Sequence, residues 1–152
     1  MSKIYLATSG TGKTYFCKKY PGWVDLDGWF FWNDLSDQIN ENLFIKMVLF
    51  YQHNDYNILI SSIKTAEYLI KNNIQINGYI IPSKAMKAEI IVRLLTRGPE
   101  QNGWAHEYLR HFNKEIEQID QLSGPKFYLK SGQHVSDIID SEGNIKINET
   151  DN

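Results

Sequence analysis

Eight consecutive residues, Ala7-Thr8-Ser9-Gly10-Thr11-Gly12-Lys13-Thr14, restrict what this chain can fold into more than any other stretch. They follow the apolar segment Ile4-Tyr5-Leu6 and match the phosphate-binding pattern G-x-x-x-x-G-K-[ST] everywhere except the first position, where alanine stands. Alanine is the next smallest side chain, so the departure is mild. Gly10 and Gly12 can adopt conformations closed to other residues, which lets successive N–H groups turn inward around a phosphate. A helix starting near Lys13 turns its positive end toward the same anion. Ser9, Gly10, Thr11 and Gly12 then form the cradle. Lys13 would reach the β- and γ-phosphates of a nucleotide, and the Thr14 hydroxyl would ligate magnesium (Mg2+). A plain glycine-rich turn would use the same residues, but the strand before and the helix after favour the phosphate loop.

The rest of the chain alternates between strand and helix patterns. Lys3 to Ala7 reads as a central strand covered on both faces, and Lys13 to Tyr20 as a helix stopped by Pro21-Gly22. Trp23 to Asp27 is a second strand ending in two acids. Gly28 to Asn54 is aromatic at its start and helical afterwards, with Leu43, Phe44, Met47, Val48 and Tyr51 at helical spacing. Asn57 to Ser61 is a third strand, Lys64 to Lys71 a helix, and Ile74 to Ile81 a fourth strand closed by Pro82. Ser83 and Gly98 bracket one helix as N-cap and stop. Asn102 to Gln121 makes another, with Ala105, Tyr108, Leu109, Phe112, Ile116 and Ile119 in one stripe. Lys126 to Leu129 is a fifth strand, Val135 to Ile139 a short closing helix, and Ser141 to Asn152 a polar, loose tail. This order predicts an α/β fold with a parallel sheet and helices on both faces.

Composition narrows the setting. At 152 residues, with 42% hydrophobic and 22% charged residues, the chain suits one globular domain. A net charge of -2 gives no basic footprint for general nucleic-acid binding, though a local basic groove stays open. A single cysteine, Cys17, excludes an internal disulfide and fits a reducing compartment. No apolar run approaches the roughly 20 residues that cross a bilayer, and the phosphate loop begins where a signal peptide's apolar core would lie. The expectation is a cytoplasmic protein without a membrane partner.

Three groups of residues could act on a bound nucleotide. Asp25 and Asp27 lie two apart, on one side of an extended strand whose carboxyl end shares an edge with the phosphate loop. They fit the carboxylates that orient an acceptor and hold magnesium, or they are solvated acids in a turn before Gly28. Arg93 and Arg97 share a stripe with Met86 and Ile90 within roughly 60° of arc. They read as arginines brought to a transferring phosphoryl group, or as a solvent-facing pair with Glu89 bridging Arg93. The cluster Trp29, Phe30, Phe31 and Trp32 could stack on a base, although base rates favour core. His53, His106, His111 and His134 lack metal-ligand spacing. The apolar strand ending in aspartate that ATPases and GTPases carry is missing, since Ile58-Leu59-Ile60 runs into Ser61-Ser62 and Asp55 precedes the strand.

In this order of parts the chain resembles the nucleoside-monophosphate-kinase-like branch of P-loop proteins. The run Ile81-Pro82-Ser83-Lys84 through Arg93-Leu94-Leu95-Thr96-Arg97-Gly98 is similar to small bacteriophage-encoded nucleotide-kinase-like proteins. The resemblance implies a three-layer P-loop NTPase fold with a five-stranded parallel sheet in the order 2-3-1-4-5. It implies one kinase-like domain over residues 1–140, an acceptor-binding region at about 28–54 and a short lid at about 93–103. It further implies phosphoryl transfer from ATP with Mg2+ to a nucleotide or deoxynucleotide monophosphate, in the host cytoplasm if phage-encoded. Lys13 and Thr14 would serve the donor, Asp25 or Asp27 the acceptor, and Arg93 and Arg97 the transferred charge. Asp25 would replace the missing strand-end aspartate beside magnesium. A polynucleotide 5'-hydroxyl kinase and a non-catalytic nucleotide-binding regulator, such as a phage inhibitor or sensor, are the alternatives.

Overall fold

The computed structural model describes residues 2–27, 32–33, 38–98 and 102–146. Its strands are β1 (Ile4–Ala7), β2 (Trp23–Leu26), β3 (Trp32–Asn33), β4 (Gln38–Ile39), β5 (Asn57–Ile60), β6 (Gly78–Pro82) and β7 (Lys126–Leu129). Five of them form one sheet in the order β2-β5-β1-β6-β7, with every neighbouring pair parallel. Counting those five alone, this is the expected order 2-3-1-4-5. All residues of β1 and β6 are buried, and side chains alternate between faces, so both faces of the central strands are covered. That is why these strands read as continuous apolar runs.

The helices are α1 (Lys13–Lys19), α2 (Glu41–His53), α3 (Ile63–Lys71), α4 (Lys87–Leu95), α5 (Asn102–Asp120) and α6 (Val135–Ile138). Asn40 and Ser62 cap α2 and α3 by accepting from Leu43 N at 3.0 Å and Thr65 N at 3.3 Å. On α1, Phe16 is 1% exposed and packs edge-on against Trp23 of β2, ring centroids 5.1 Å apart. Emptying such a site by Phe16→Ala costs about 3–5 kcal/mol. No helix among the described residues is long and apolar enough to cross a membrane.

Register places the functional edge. Leu26 of β2 and Leu6 of β1 both pair with Ile60 of β5, so Thr8, Asp27 and Ser61 leave the sheet together at its carboxyl edge. Four features depart from the sequence expectations. The fourth strand runs Gly78–Pro82 rather than Ile74–Ile81, with Pro82 paired to Leu129 inside it. Between Ser83 and Gly98 there is a 3-10 turn (Lys84–Met86) and then α4, because Ser83 gives no side-chain cap and the chain first closes through Met86 N to Ser83 O. Before α2, β3 and β4 form a separate antiparallel pair; Trp29, Phe30 and Phe31 of the aromatic cluster lie outside the described residues. Finally, 141–146 are no loose tail. Asp140 Oδ1 accepts from Glu142 N and Asn144 N, turning the chain back so that Ile139 bridges Ile145. The Tyr5 hydroxyl donates to Gly143 O at 2.7 Å and Trp23 Nε1 donates to Ser141 O at 2.8 Å. A polar segment is held by buried aromatic donors.

Gly143 is the tightest point of that turn. Its φ is +81°, and a Cβ there would lie 2.9 Å from Lys3 Cδ and 3.1 Å from Trp23 Cζ2. Gly143→Ala should therefore lower unfolding free energy by about 1–3 kcal/mol in urea titration. An unchanged midpoint would mean that the turn does not pack on Trp23.

Candidate phosphate-binding site

At the end of β1 the chain enters the glycine loop. Ala7, the departure from the pattern, is still in the ladder opposite Ile80 and fully buried, so its methyl group sits in core rather than in the cradle. Gly10 and Gly12 have φ of +82° and +92°, the left-handed region that glycine enters at no steric cost. Neighbours hold both positions closely. A Cβ on Gly10 would lie 3.1 Å from Ile90 Cγ2 of α4, and one on Gly12 would lie 3.2 Å from His134 Cδ2, just before α6. Val135 N donates to Thr11 O at 2.8 Å, tying α6 to the same loop.

The loop closes around one carbonyl. Thr11 Oγ1 donates to Thr8 O at 2.6 Å, and Lys13 Nζ donates to it at 3.2 Å. Lys13 is only 8% exposed. Burial lowers its pKa, and the carboxylates Asp25 and Asp27 oppose that shift. An ammonium has three donors, and among the described residues this one makes a single hydrogen bond, to a neutral oxygen. Such a cation is incompletely satisfied until an anion arrives. Among the described residues no side chain caps α1 by a hydrogen bond. Thr14 is exposed and Ser9 half-buried on the rim.

Asp25 sits in β2 with Oδ1 buried and lacking a hydrogen-bond partner among the described residues. Burial raises its pKa; Lys13 and Arg97 pull it down and Asp27 pushes it up. Lys13, Asp25, Asp27 and Arg97 thus share one electrostatic neighbourhood, although 84 residues of sequence separate its ends. Among the described residues no group of three or more His, Cys, Asp or Glu could hold a metal. Magnesium does not need one, since it binds through one or two carboxylates with phosphates and water. Cys17 is half-buried, and burial drives its thiol up to about 12, leaving it inert.

The two arginines part company. Arg93 Nη1 donates to Gly10 O at 3.0 Å, while Nη2 donates to Gln133 O at 2.9 Å and to Glu89 Oε2 at 2.6 Å. Glu89 also accepts from Ser131 Oγ and from Gly132 N at 2.9 Å. These bonds hold the Glu89 carboxyl below its ordinary range, the Ser131 hydroxyl first among them. Arg93 is therefore a clasp between α4, the glycine loop and the 130–134 segment, and the Glu89 ion pair expected from sequence is part of that clasp. Arg97 lies past the end of α4, exposed, and its side chain makes no hydrogen bond or ion pair among the described residues.

One carboxylate escaped the sequence reading. Glu115 of α5 is half-buried, makes no hydrogen bond or ion pair among the described residues, and interacts electrostatically with Lys13. Burial pushes its carboxyl up to about 7, with Lys13 opposing. Two turns earlier, Tyr108 interacts with both Glu115 and Thr8, and burial raises its hydroxyl pKa; Thr8 Oγ1 itself is buried, with no partner at good geometry among the described residues. Glu115 lines a cavity of about 260 Å3 with Ser62, Ile63, Lys64, His111, Lys114 and Gln118. A larger cavity, about 500 Å3, lies at the amino end of β6 and β7, where Tyr79 is the only titratable side chain lining it. No family model matches the chain, and a search of curated proteins returns no match.

Arg93→Ala should lower the thermal midpoint and nucleotide affinity together, because it releases Gly10. Arg97→Ala should leave the midpoint within about 1 °C while reducing any turnover roughly a hundredfold or more. Equal stability of the two variants would contradict the clasp. Glu115 binds its proton up to about pH 7 when folded but only to about 4.5 when unfolded, so its contribution to stability falls as pH rises between those values. Glu115→Gln should thus be more stable than wild type at pH 8 and equal to it near pH 4, read from urea midpoints. A gap that does not change with pH would contradict burial of this carboxylate.

Proposed function

We propose that this chain is a P-loop phosphotransferase that moves the γ-phosphoryl group of ATP to a nucleotide or deoxynucleotide monophosphate. The observation that carries the reading is Lys13: a buried, under-satisfied ammonium inside a loop whose glycines are both left-handed, at the end of the central strand of an all-parallel sheet. Ligands of such sheets bind beyond the carboxyl ends of the strands, where this loop lies. The three-layer P-loop NTPase fold accounts for the strand order and the covered faces, and a nucleotide-metabolising role fits a cytoplasmic setting.

The residues present suit ATP and magnesium. Lys13 with the 9–14 backbone would hold the donor phosphates, and Thr14 with the partnerless Asp25 Oδ1 would hold the ion. Magnesium, when bound, neutralises charge on the donor phosphates. Asp27 at the rim orients the acceptor, and Arg97 meets the charge of the transferred group. Arg93 acts one step removed, by fixing the loop through Gly10 O.

Lys13→Ala should abolish binding of ATP measured by calorimetry. Asp25→Asn and Asp27→Asn should keep ATP affinity within about threefold and lower phosphoryl transfer by roughly 10²-fold or more. Acids that prove silent in a protein that binds ATP through Lys13 would instead support a nucleotide-binding regulator.

A further inference from the structure

Large aromatic side chains that serve the core are mostly buried, so an indole left in solvent is a feature that packing does not explain. Trp104, in the first turn of α5, is 46% exposed. Its ring lies parallel to that of Tyr108, with centroids 5.5 Å apart and planes 14° apart. Tyr108 in turn stands edge-on to Phe112, centroids 6.1 Å apart, and Phe112 belongs to the core. The stack is thus anchored at one end and closes at the other in an indole whose outer face no second ring covers among the described residues.

The fold places this stack at the functional edge. Residues 121–125 return the chain to the amino end of β7, so α5 runs antiparallel to the strands. Glu117 of α5 pairs with Lys84 Nζ at 2.6 Å, two residues past the end of β6. At 1.5 Å per residue, Tyr108 and Trp104 lie about 13 and about 20 Å nearer the start of the helix, which carries them beyond the carboxyl ends of the strands. Helix α4 packs on α5, and its Ile90 and Leu94 stand against Gly10 of the loop. Tyr108 interacts with Thr8, the residue that follows β1 into that loop.

We propose that the outer face of Trp104, backed by Tyr108, is the stacking platform for the nucleobase of a nucleotide whose phosphate lies at the glycine loop. One ring-to-ring step separates the indole from a tyrosine that reaches the loop, and the sugar of a nucleotide sets its base off from its phosphate by a distance of the same order. An indole already stacked on one side presents its other side as a flat, pre-oriented surface. Face contact of this kind accepts any base, because every base has a π-face. The platform therefore adds affinity without choosing among bases. The chemistry is the same for the base of a donor and that of an acceptor, and the probes below distinguish them.

The platform rests on the phosphotransferase reading for its nucleotide, and probes that lack a base separate the two. Binding to wild type, Trp104→Ala and Trp104→Phe is measured by calorimetry in magnesium, with ATP beside tripolyphosphate and each of the four deoxynucleoside 5'-monophosphates beside 2-deoxyribose 5-phosphate. Trp104→Ala should weaken base-bearing probes by about tenfold or more and leave the base-free probes within about twofold. Trp104→Phe, which keeps a flat ring, should recover most of that loss. A loss seen with ATP assigns the platform to the donor base, and a loss of similar size across the four monophosphates assigns it to the acceptor base. Equal weakening of base-bearing and base-free probes, or no weakening of any, would overturn the platform, and binding of ATP that still depends on Lys13 would leave the phosphotransferase reading standing. Wild type that binds neither ATP nor tripolyphosphate nor any monophosphate would overturn both.

Discussion

An ammonium taken out of water and given a single neutral partner is the constraint on which the functional edge depends. Lys13 is buried against Thr8 O, and among the described residues Asp25, Asp27 and Glu115 interact with its charge without forming an ion pair. Burying such a group without a close counter-ion is unfavourable in a folded protein, and arrangements of this kind persist where a ligand supplies the missing charge. The reciprocal shifts are consistent with this: the lysine is pushed toward neutrality and the carboxyls of Asp25 and Glu115 are pushed toward protonation, each by burial and each opposed by the other.

That arrangement needs a loop that cannot relax around the lysine, and packing on two sides supplies it. Ile90 stands against Gly10 and His134 against Gly12, while Arg93 grips Gly10 O and Gln133 O from α4. The loop is thus fixed by elements more than 70 residues downstream, which makes its shape a property of the whole fold. The same logic operates at the opposite end of β1 and β2, where the 141–146 turn satisfies Tyr5 and Trp23. A separate cavity, with Glu115 on its wall, lies between α3 and α5.

Local signals in the sequence carry the glycine loop and the five sheet strands, because apolar runs, glycine spacing and caps act over a few residues; the parallel pairing follows from strands alternating with helices, while the strand order is implied by the resemblance. Lys126 to Leu129 appears in the structure as read. What depends on distant chain is not legible in that way. Arg93 finds Gln133 forty residues away, so its clasp could not be separated from a surface pair with Glu89. The turn at 141–146 is polar in composition but packs through its carbonyls, which composition does not report. Glu115 was within reach. At about 100° per residue it lies almost directly below Tyr108 on α5, on the flank of the apolar stripe, and an acid in that position is a signal that reading apolar residues alone passes over.

The most direct test of the central claim is a crystal structure of the protein with magnesium and a non-hydrolysable ATP analogue. The account predicts β- and γ-phosphate oxygens within hydrogen-bond distance of the 10–14 backbone N–H groups, with Lys13 Nζ moved from Thr8 O onto them. A nucleotide bound elsewhere, or a loop left unchanged with Lys13 still on Thr8 O, would contradict it.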